Sequence, residues 1–394
     1  MKFQIAKQDL DVALATVGGA LASSPGDISS HYVFRISLTD DTKVEILAAS
    51  NRVYASCPVA KAVVMEVGEP FTVEGWRLKG WVSNVGDAAL TVETNPANAE
   101  VTVTAGKYTQ TFRSLDYKNF TVMDKTLEKA ELKATIPAKR LTTALKSAKA
   151  FASDDDSNQP EVVVVDVRNG LLMATDKRSV AAFFTVQGLE DCNMRVHAKD
   201  VSALCGFLDG IDGEVEILDS KRVVFFRRKS DGALYGETRY QVEFPNLTFN
   251  VEPDQRTWTV KTAELRRAAM TAYYGASKTD NRLFFIPPND EGVMKVAMKT
   301  DTNTGKMTLI PLAAEVAVND PNSTEPPEGG FPVSHEHVLA LLDAVGTDET
   351  VALGINVNAT KKNRFVRVTR KVFADAKDPT VGDSYTYVLA GMIW

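Results

Sequence analysis

The sequence has 394 residues, more than one ordinary core accommodates and suited to two to four domains. Hydrophobic residues make up 44% and charged residues 24%, the balance of a globular chain and not of a disordered or fibrous one. A formal net charge of -6 excludes a protein coated in positive charge, while leaving room for local basic faces.

Cys57, Cys192 and Cys205 lack metal-ligand spacing, and their odd count with wide gaps argues against a disulfide framework. A reducing compartment fits them. The opening "MKFQIAKQDL" lacks the apolar stretch of a signal peptide, and no apolar run approaches a membrane span. A cytoplasmic protein is expected, in the host cytoplasm if the chain is viral.

The first helical pattern is Leu10, Ala13, Leu14, Val17. The i, i+3, i+4, i+7 spacing puts all four side chains on one helix face. A second stripe follows at Leu78, Trp81, Val82, Val85. The pair then recurs twice. Leu141, Ala144, Leu145, Ala148 precede Val201, Leu204, Cys205, Leu208, and Leu265, Ala268, Ala269, Ala272 precede Val338, Leu341, Leu342, Val345. Gly86, Gly210 and Gly346 stand just past the second stripes, where a left-handed glycine can end a helix.

Between the stripes the chain reads as strands. "HYVFRISL" (31–38), "EVVVVDV" (161–167), "RVVFFRR" (222–228), "ETVALGINV" (349–357) and "RFVRVTR" (364–370) are rich in Val, Phe and Tyr. Turn chemistry separates them at "RNG" (168–170), "SDG" (230–232) and "NTG" (303–305). Each third reads strand, helix, three strands, twice over. The breaks fall near "VMDKTLEKAEL" (122–132) and "NVEPDQRT" (250–257), and "NDPNSTEPPEGG" (319–330) reads as a surface insert. A triplicated α+β chain follows, with domains 1–124, 130–252 and 256–394.

Several segments resemble the bacterial sliding clamp, the beta subunit of DNA polymerase III. They are "MKFQIAKQDL", "LLMATDKRSVAAF" (171–183), "YQVEFPNL" (240–247) and "SYTYVLAGMIW" (384–394). The resemblance covers the whole chain in the family's domain order. Two departures stand out. Lys177, Arg178, Ser179 and Val180 replace the family's usual Gly-His-Arg-Leu, and Ala390, Gly391, Met392 and Ile393 replace its Met-Pro-x-Arg tail. A divergent, virus-encoded member fits these departures.

The resemblance implies three tandem clamp-fold domains, each with two helices on antiparallel sheets, forming half of a ring. Two copies, head to tail, would close around double-stranded DNA and tether the replicative DNA polymerase, with a clamp loader as a further partner. No enzymatic activity and no cofactor are implied. Arg77, Lys79, Lys139, Arg140, Lys146, Lys149, Lys199, Arg266, Arg267 and Lys278, opposite or beside the apolar stripes, are the expected DNA-facing cations. Phosphate contacts of that kind are sequence-independent and salt-sensitive. Carried over by motif, Thr175, Arg178, Val180, Pro245, Val388, Leu389 and Met392 would wall a pocket for partner peptides. Phe112, on the strand-like "YTQTFRSL" (108–115), and Tyr273–Tyr274 would lie at the subunit interface.

Catalytic readings are weaker. His335 and His337 in "SHEH" (334–337) diverge on a helix, so no metal site is expected there, and Ser334 reads as an N-cap. "SDDDS" (153–157) reads as a solvated loop, and "TGKM" (304–307) as a hairpin turn and not a phosphate loop. The alternatives are a clamp-fold scaffold that binds peptides without encircling DNA, and a β-rich hydrolase using His197 or Asp154–Asp156.

Overall fold

The computed structural model describes residues 1–22, 27–37, 43–59, 61–86, 89–177, 180–247, 254–277, 280–301, 304–323, 325–346, 349–358, 363–372 and 382–390. Among these are seven α-helices: α1 (Lys7–Gly18), α2 (Gly75–Asn84), α3 (Asp124–Leu127), α4 (Ala138–Lys149), α5 (Ala198–Leu208), α6 (Thr262–Tyr274) and α7 (His335–Val345). Each apolar stripe coincides with a helix. Leu141, Ala144, Leu145 and Ala148 of α4 are fully buried, as are their counterparts on α1, α5, α6 and α7. On α2, Leu78 and Val82 are buried while Trp81 is half-buried, edge-on to Phe112.

The order strand, helix, three strands, twice over, holds in each third, with one added strand in the first (Val63–Glu66) and one in the third (Glu315–Val318). All described pairings are antiparallel and build four sheets of five, eight, nine and four strands. The fold is α+β.

The chain divides into two compact units, Met1–Thr142 with Lys199–Tyr240, and Thr143–Ala198 with Gln241–Trp394. Neither is a sequence repeat. In the first, the strand Leu234–Thr238 pairs with Val53–Val59, opposing Leu234 to Ser56, so strands of the first and second thirds share one eight-stranded sheet. In the second, Val180–Thr185 pairs with Asp383–Ala390, joining the second and third thirds in a nine-stranded sheet. Open strand edges are ready to pair, and these two pairings link consecutive thirds of the chain.

The core of the first unit stacks Phe34 on Phe71 with centroids 4.9 Å apart and Phe3 beside both. Tyr32 donates its hydroxyl to the Leu14 carbonyl at 3.1 Å, fixing α1 to the sheet. In the second unit Phe184 stacks on Tyr385 at 4.2 Å and meets Tyr387 at 5.1 Å. Cys57, Cys192 and Cys205 are buried free thiols, and burial pushes the Cys57 thiol up to about 12.

Local details differ from the sequence expectations. Gly210 and Gly346 take positive φ past α5 and α7, but α2 ends on Val85, which is extended and buried, so Gly86 has no left-handed role. Ser334 is the N-cap of α7, yet its side chain makes no capping bond. Its hydroxyl is buried beside the strand it belongs to. "EVVVVDV" begins as a 3-10 turn, Pro160–Val162, before its strand. The break near 122–132 is anchored, since Met123, Leu127 and Ala130 pack on a core containing Val33, Leu47, Tyr54 and Phe225. "RNG" forms a two-residue hairpin with Asn169 and Gly170 at φ 51° and 78°, the geometry that Asn-Gly serves.

Candidate nucleic-acid interface and peptide pocket

The cationic residues sit on the helices as the stripes require. Lys139 and Lys146 on α4, Lys199 on α5 and Arg267 on α6 are exposed, while Arg140, Lys149 and Arg266 are half-buried. Lys146 and Lys149 lie in the last turn of α4, where the helix dipole also favours a cation. Arg77 pairs with Glu74 at 2.9 Å, and Arg266 with Asp343 of α7 at 2.6 Å.

Lys79 differs from the rest. Its ammonium lies 5.9 Å from the Tyr32 ring centroid and fills the space that a methyl group at Gly18 would occupy. Desolvation there lowers its pKa. Lys278 lies outside the described residues.

The expected subunit-interface residues occupy two surfaces. Tyr108–Arg113 is the outer strand of the five-stranded sheet, with one edge unpaired among the described residues. On it, Phe112 is 7% exposed and its ring turns inward to Trp81, so the opposite face of the strand is polar, formed by Thr109, Thr111 and Arg113. Tyr273 and Tyr274 end α6 and are 49% and 79% exposed. Tyr273 stacks on the buried His335, centroids 4.5 Å apart and planes 5° from parallel. Met307–Ala313 is an outer strand of the four-stranded sheet that α6 packs on.

Strand register brings Thr175, Val180, Val388 and Leu389 of the expected pocket together. Thr175 opposes Ala181, Ala181 opposes Val388, and Val180 opposes Leu389. The Thr175 hydroxyl donates to the Val180 carbonyl at 2.6 Å and accepts the Lys177 amide at 2.9 Å, and the Val180 amide donates to Asp176 at 2.9 Å. This closes the turn, and Lys177 takes φ 62° within it, a conformation that suits glycine. Thr175, Val180 and Leu389 are buried in the sheet, while Val388 and Pro245 keep partial exposure. Arg178 and Met392 lie outside the described residues.

The segment carrying Pro245 is held by a charge cluster that sequence reading missed. Asp166 is fully buried, accepts a hydrogen bond from Arg195 Nε at 2.9 Å and forms an ion pair with Arg168, whose Nε lies 2.7 Å away. Arg195 also donates to the Val242 carbonyl at 2.7 Å, and Arg168 to the Phe244 carbonyl at 3.2 Å, with its guanidinium over the Phe244 ring. Asp166 and Arg195 are register partners on neighbouring strands, a relationship without a local sequence signal.

His335 and His337 do diverge: one stacks on Tyr273, the other on Phe151 with centroids 6.2 Å apart. The 153–157 loop is more structured than expected, because Asp156 pairs with the buried His197 Nε2 at 2.8 Å and Asp155 accepts the Ser157 and Asn158 amides. Among the described residues no three His, Cys, Asp or Glu side chains converge as metal ligands, and no helix is long and apolar enough to cross a membrane.

No protein-family model and no curated protein matches the sequence. Solved structures do match over the full length. A DNA polymerase sliding clamp from Bacillus subtilis superimposes with TM-score 0.80 at 16% identity, each chain covered completely. DNA polymerase III beta subunit from Thermotoga maritima gives TM-score 0.79 at 16% identity, covering 100% of this chain and 99% of that one. The DNA polymerase III beta sliding clamp from Pseudomonas aeruginosa bound to griselimycin gives TM-score 0.76 at 16% identity, with both chains fully covered. The chain has the three-domain α+β fold of DNA polymerase III beta sliding clamps.

Proposed function

We propose that this protein is a DNA sliding clamp, a non-enzymatic processivity factor acting as a head-to-tail homodimer around double-stranded DNA. The observation that carries the reading is the full-length fold match, TM-score 0.80, in a chain whose repeated helices bury one apolar stripe and carry cations away from it. Three domains per copy, at 1–124, 130–252 and 256–394, supply six to the ring. The cations of α2, α4, α5 and α6 face phosphates without reading bases. Each contact is weak and salt-screened, so the ring slides and is retained by linkage, not by affinity.

Closure uses two unpaired strand edges, Tyr108–Arg113 of one copy and Met307–Ala313 of the next, with Tyr274 and Tyr273 beside the join. Edge-to-edge pairing supplies backbone hydrogen bonds, and head-to-tail contacts give a closed ring where the rotation closes. The replicative polymerase and clamp loader dock through linear peptides on the surface formed by Val388, Pro245 and Thr175. Griselimycin, a ligand of the Pseudomonas aeruginosa relative, is a ready probe of that surface, and Val388→Asp should abolish its binding. The protein acts in the cytoplasm.

The deciding experiment loads the protein onto a nicked circular plasmid, filters the complex, then linearises the DNA. Retention on the circle and loss on cutting support encirclement. Equal retention before and after cutting, or none on either, contradicts it. The second outcome favours a peptide-binding scaffold, to which the ion pairs at Arg77 and Arg266 lend some support.

A further inference from the structure

Trp76, in the first turn of α2, is 62% exposed. Single exposed apolar residues are common, but this ring is held in place. Its Nε1 donates to Glu74 Oε1 at 2.7 Å, and Arg77, bonded to the other oxygen of Glu74, lays its guanidinium 5.3 Å from the ring centroid. The indole also lines an open cavity of about 590 Å³, shared with Leu21, Ser30, Gly75 and Lys79. Around this cavity two cations outnumber the single carboxylate of Glu74.

The helix surface beyond the ring is low. Gly80 follows at i+4 and a side chain there would meet nothing within 4 Å. Ser83 and Asn84 fold back to donate to the Gly80 carbonyl at 3.0 Å and 2.6 Å. The result is a fixed aromatic plane, cations at its flank, and a floor without projecting side chains.

This is the composition of a single-strand stacking platform. Duplex DNA keeps its base faces inside the stack and offers phosphates to a passing surface, so an exposed indole gains little from it. An unpaired nucleotide offers both a base face for the ring and a phosphate for Arg77 or Lys79. The geometry points to Trp76 as a stacking site for an unpaired nucleotide, so that the first domain grips single-stranded DNA next to the duplex. The inference rests on the sliding-clamp reading, and it adds a second, single-strand mode of contact to that reading.

The test uses the full chain, wild type, W76F and W76A, with fluorescein-labelled oligo(dT), an abasic oligonucleotide of the same length, and a blunt duplex. Oligo(dT) should bind the wild type and W76F similarly and W76A roughly tenfold more weakly. The abasic strand should bind wild type about as weakly as oligo(dT) binds W76A. The duplex should not distinguish the three proteins. Failure of oligo(dT) to bind the wild type, equal oligo(dT) affinity for wild type and W76A, or abasic binding equal to oligo(dT), overturns the proposal. So does equal weakening in W76F and W76A, which would assign the effect to the indole N–H. The abasic comparison needs no variant, so misfolding of W76A cannot mask the answer. Retention of the wild type on circular duplex judges the clamp reading separately.

Discussion

Val180 opposes Leu389 across an antiparallel strand pair, although most of the third repeat lies between them in the chain. The pairing sets Val388, the next residue, opposite Ala181 with its side chain partly exposed. One strand thus supplies an interior residue and a surface residue in adjacent positions. Leu389→Ala should destabilise the protein by about 2–5 kcal/mol, whereas Val388→Ala should leave stability within roughly 0.5 kcal/mol. Urea unfolding of both variants checks the contrast, and equal losses would mean that Val388 is not a surface position.

Lys177 holds φ 62°, where a non-glycine residue costs about 1–2 kcal/mol. Its ammonium pairs with Glu161, a partly exposed contact worth at most about 1 kcal/mol. Lys177→Gly should therefore be neutral or slightly stabilising, and Lys177→Val destabilising, since β-branching is least tolerated there. Thermal midpoints measure both. A clear loss in the glycine variant would show that the side chain, and not the backbone, governs this turn.

Arg35 donates to both oxygens of Asp124, at 2.6 Å and 2.9 Å, and to Glu45 at 2.7 Å. These contacts raise its pKa against the burial that would lower it. Arg35→Met removes the cation and strands two carboxylates, at a cost of about 3 kcal/mol. The triple variant R35M/E45Q/D124N should regain most of that loss. Denaturant titrations of the two proteins separate a charge effect from simple loss of packing.

His335 and His337 have pKa values lowered below 6.5 by burial. The unfolded chain therefore binds protons that the fold refuses. Their contribution to stability is full above pH 6.5 and falls as the pH drops below it toward the folded values. The urea midpoint should decline between about pH 7.5 and about pH 5.5. H335Q/H337Q should show a shallower decline, and an unchanged slope would assign the pH dependence elsewhere.

The helices were legible because their signal is local. A stripe such as Leu265, Ala268, Ala269, Ala272 repeats with the turn of the helix and needs no partner to be seen. The strand order within each third was legible for the same reason. Joining of the thirds was not, because Leu234 opposite Ser56 and Val180 opposite Leu389 depend on which edges meet after folding. Asp166 and its two arginines were hidden likewise, as was the Asp156–His197 pair across a loop that reads as solvated. Charge on the helices could be read from position, but the partners of Arg77 and Arg266 could not. Trp76 sits beside the second stripe and is indistinguishable in sequence from an aromatic that packs inward, such as Trp81 against Phe112.

The proposed ring closes from copies of this chain and carries the cationic helices on its inner wall. Averaged electron micrographs of the purified protein at micromolar concentration test it most directly. Closed rings of two copies are expected, with a hole wide enough for a double helix, lined by α2, α4, α5 and α6. Single 43.0 kDa particles, or a dimer with those helices on its outer surface, would contradict it.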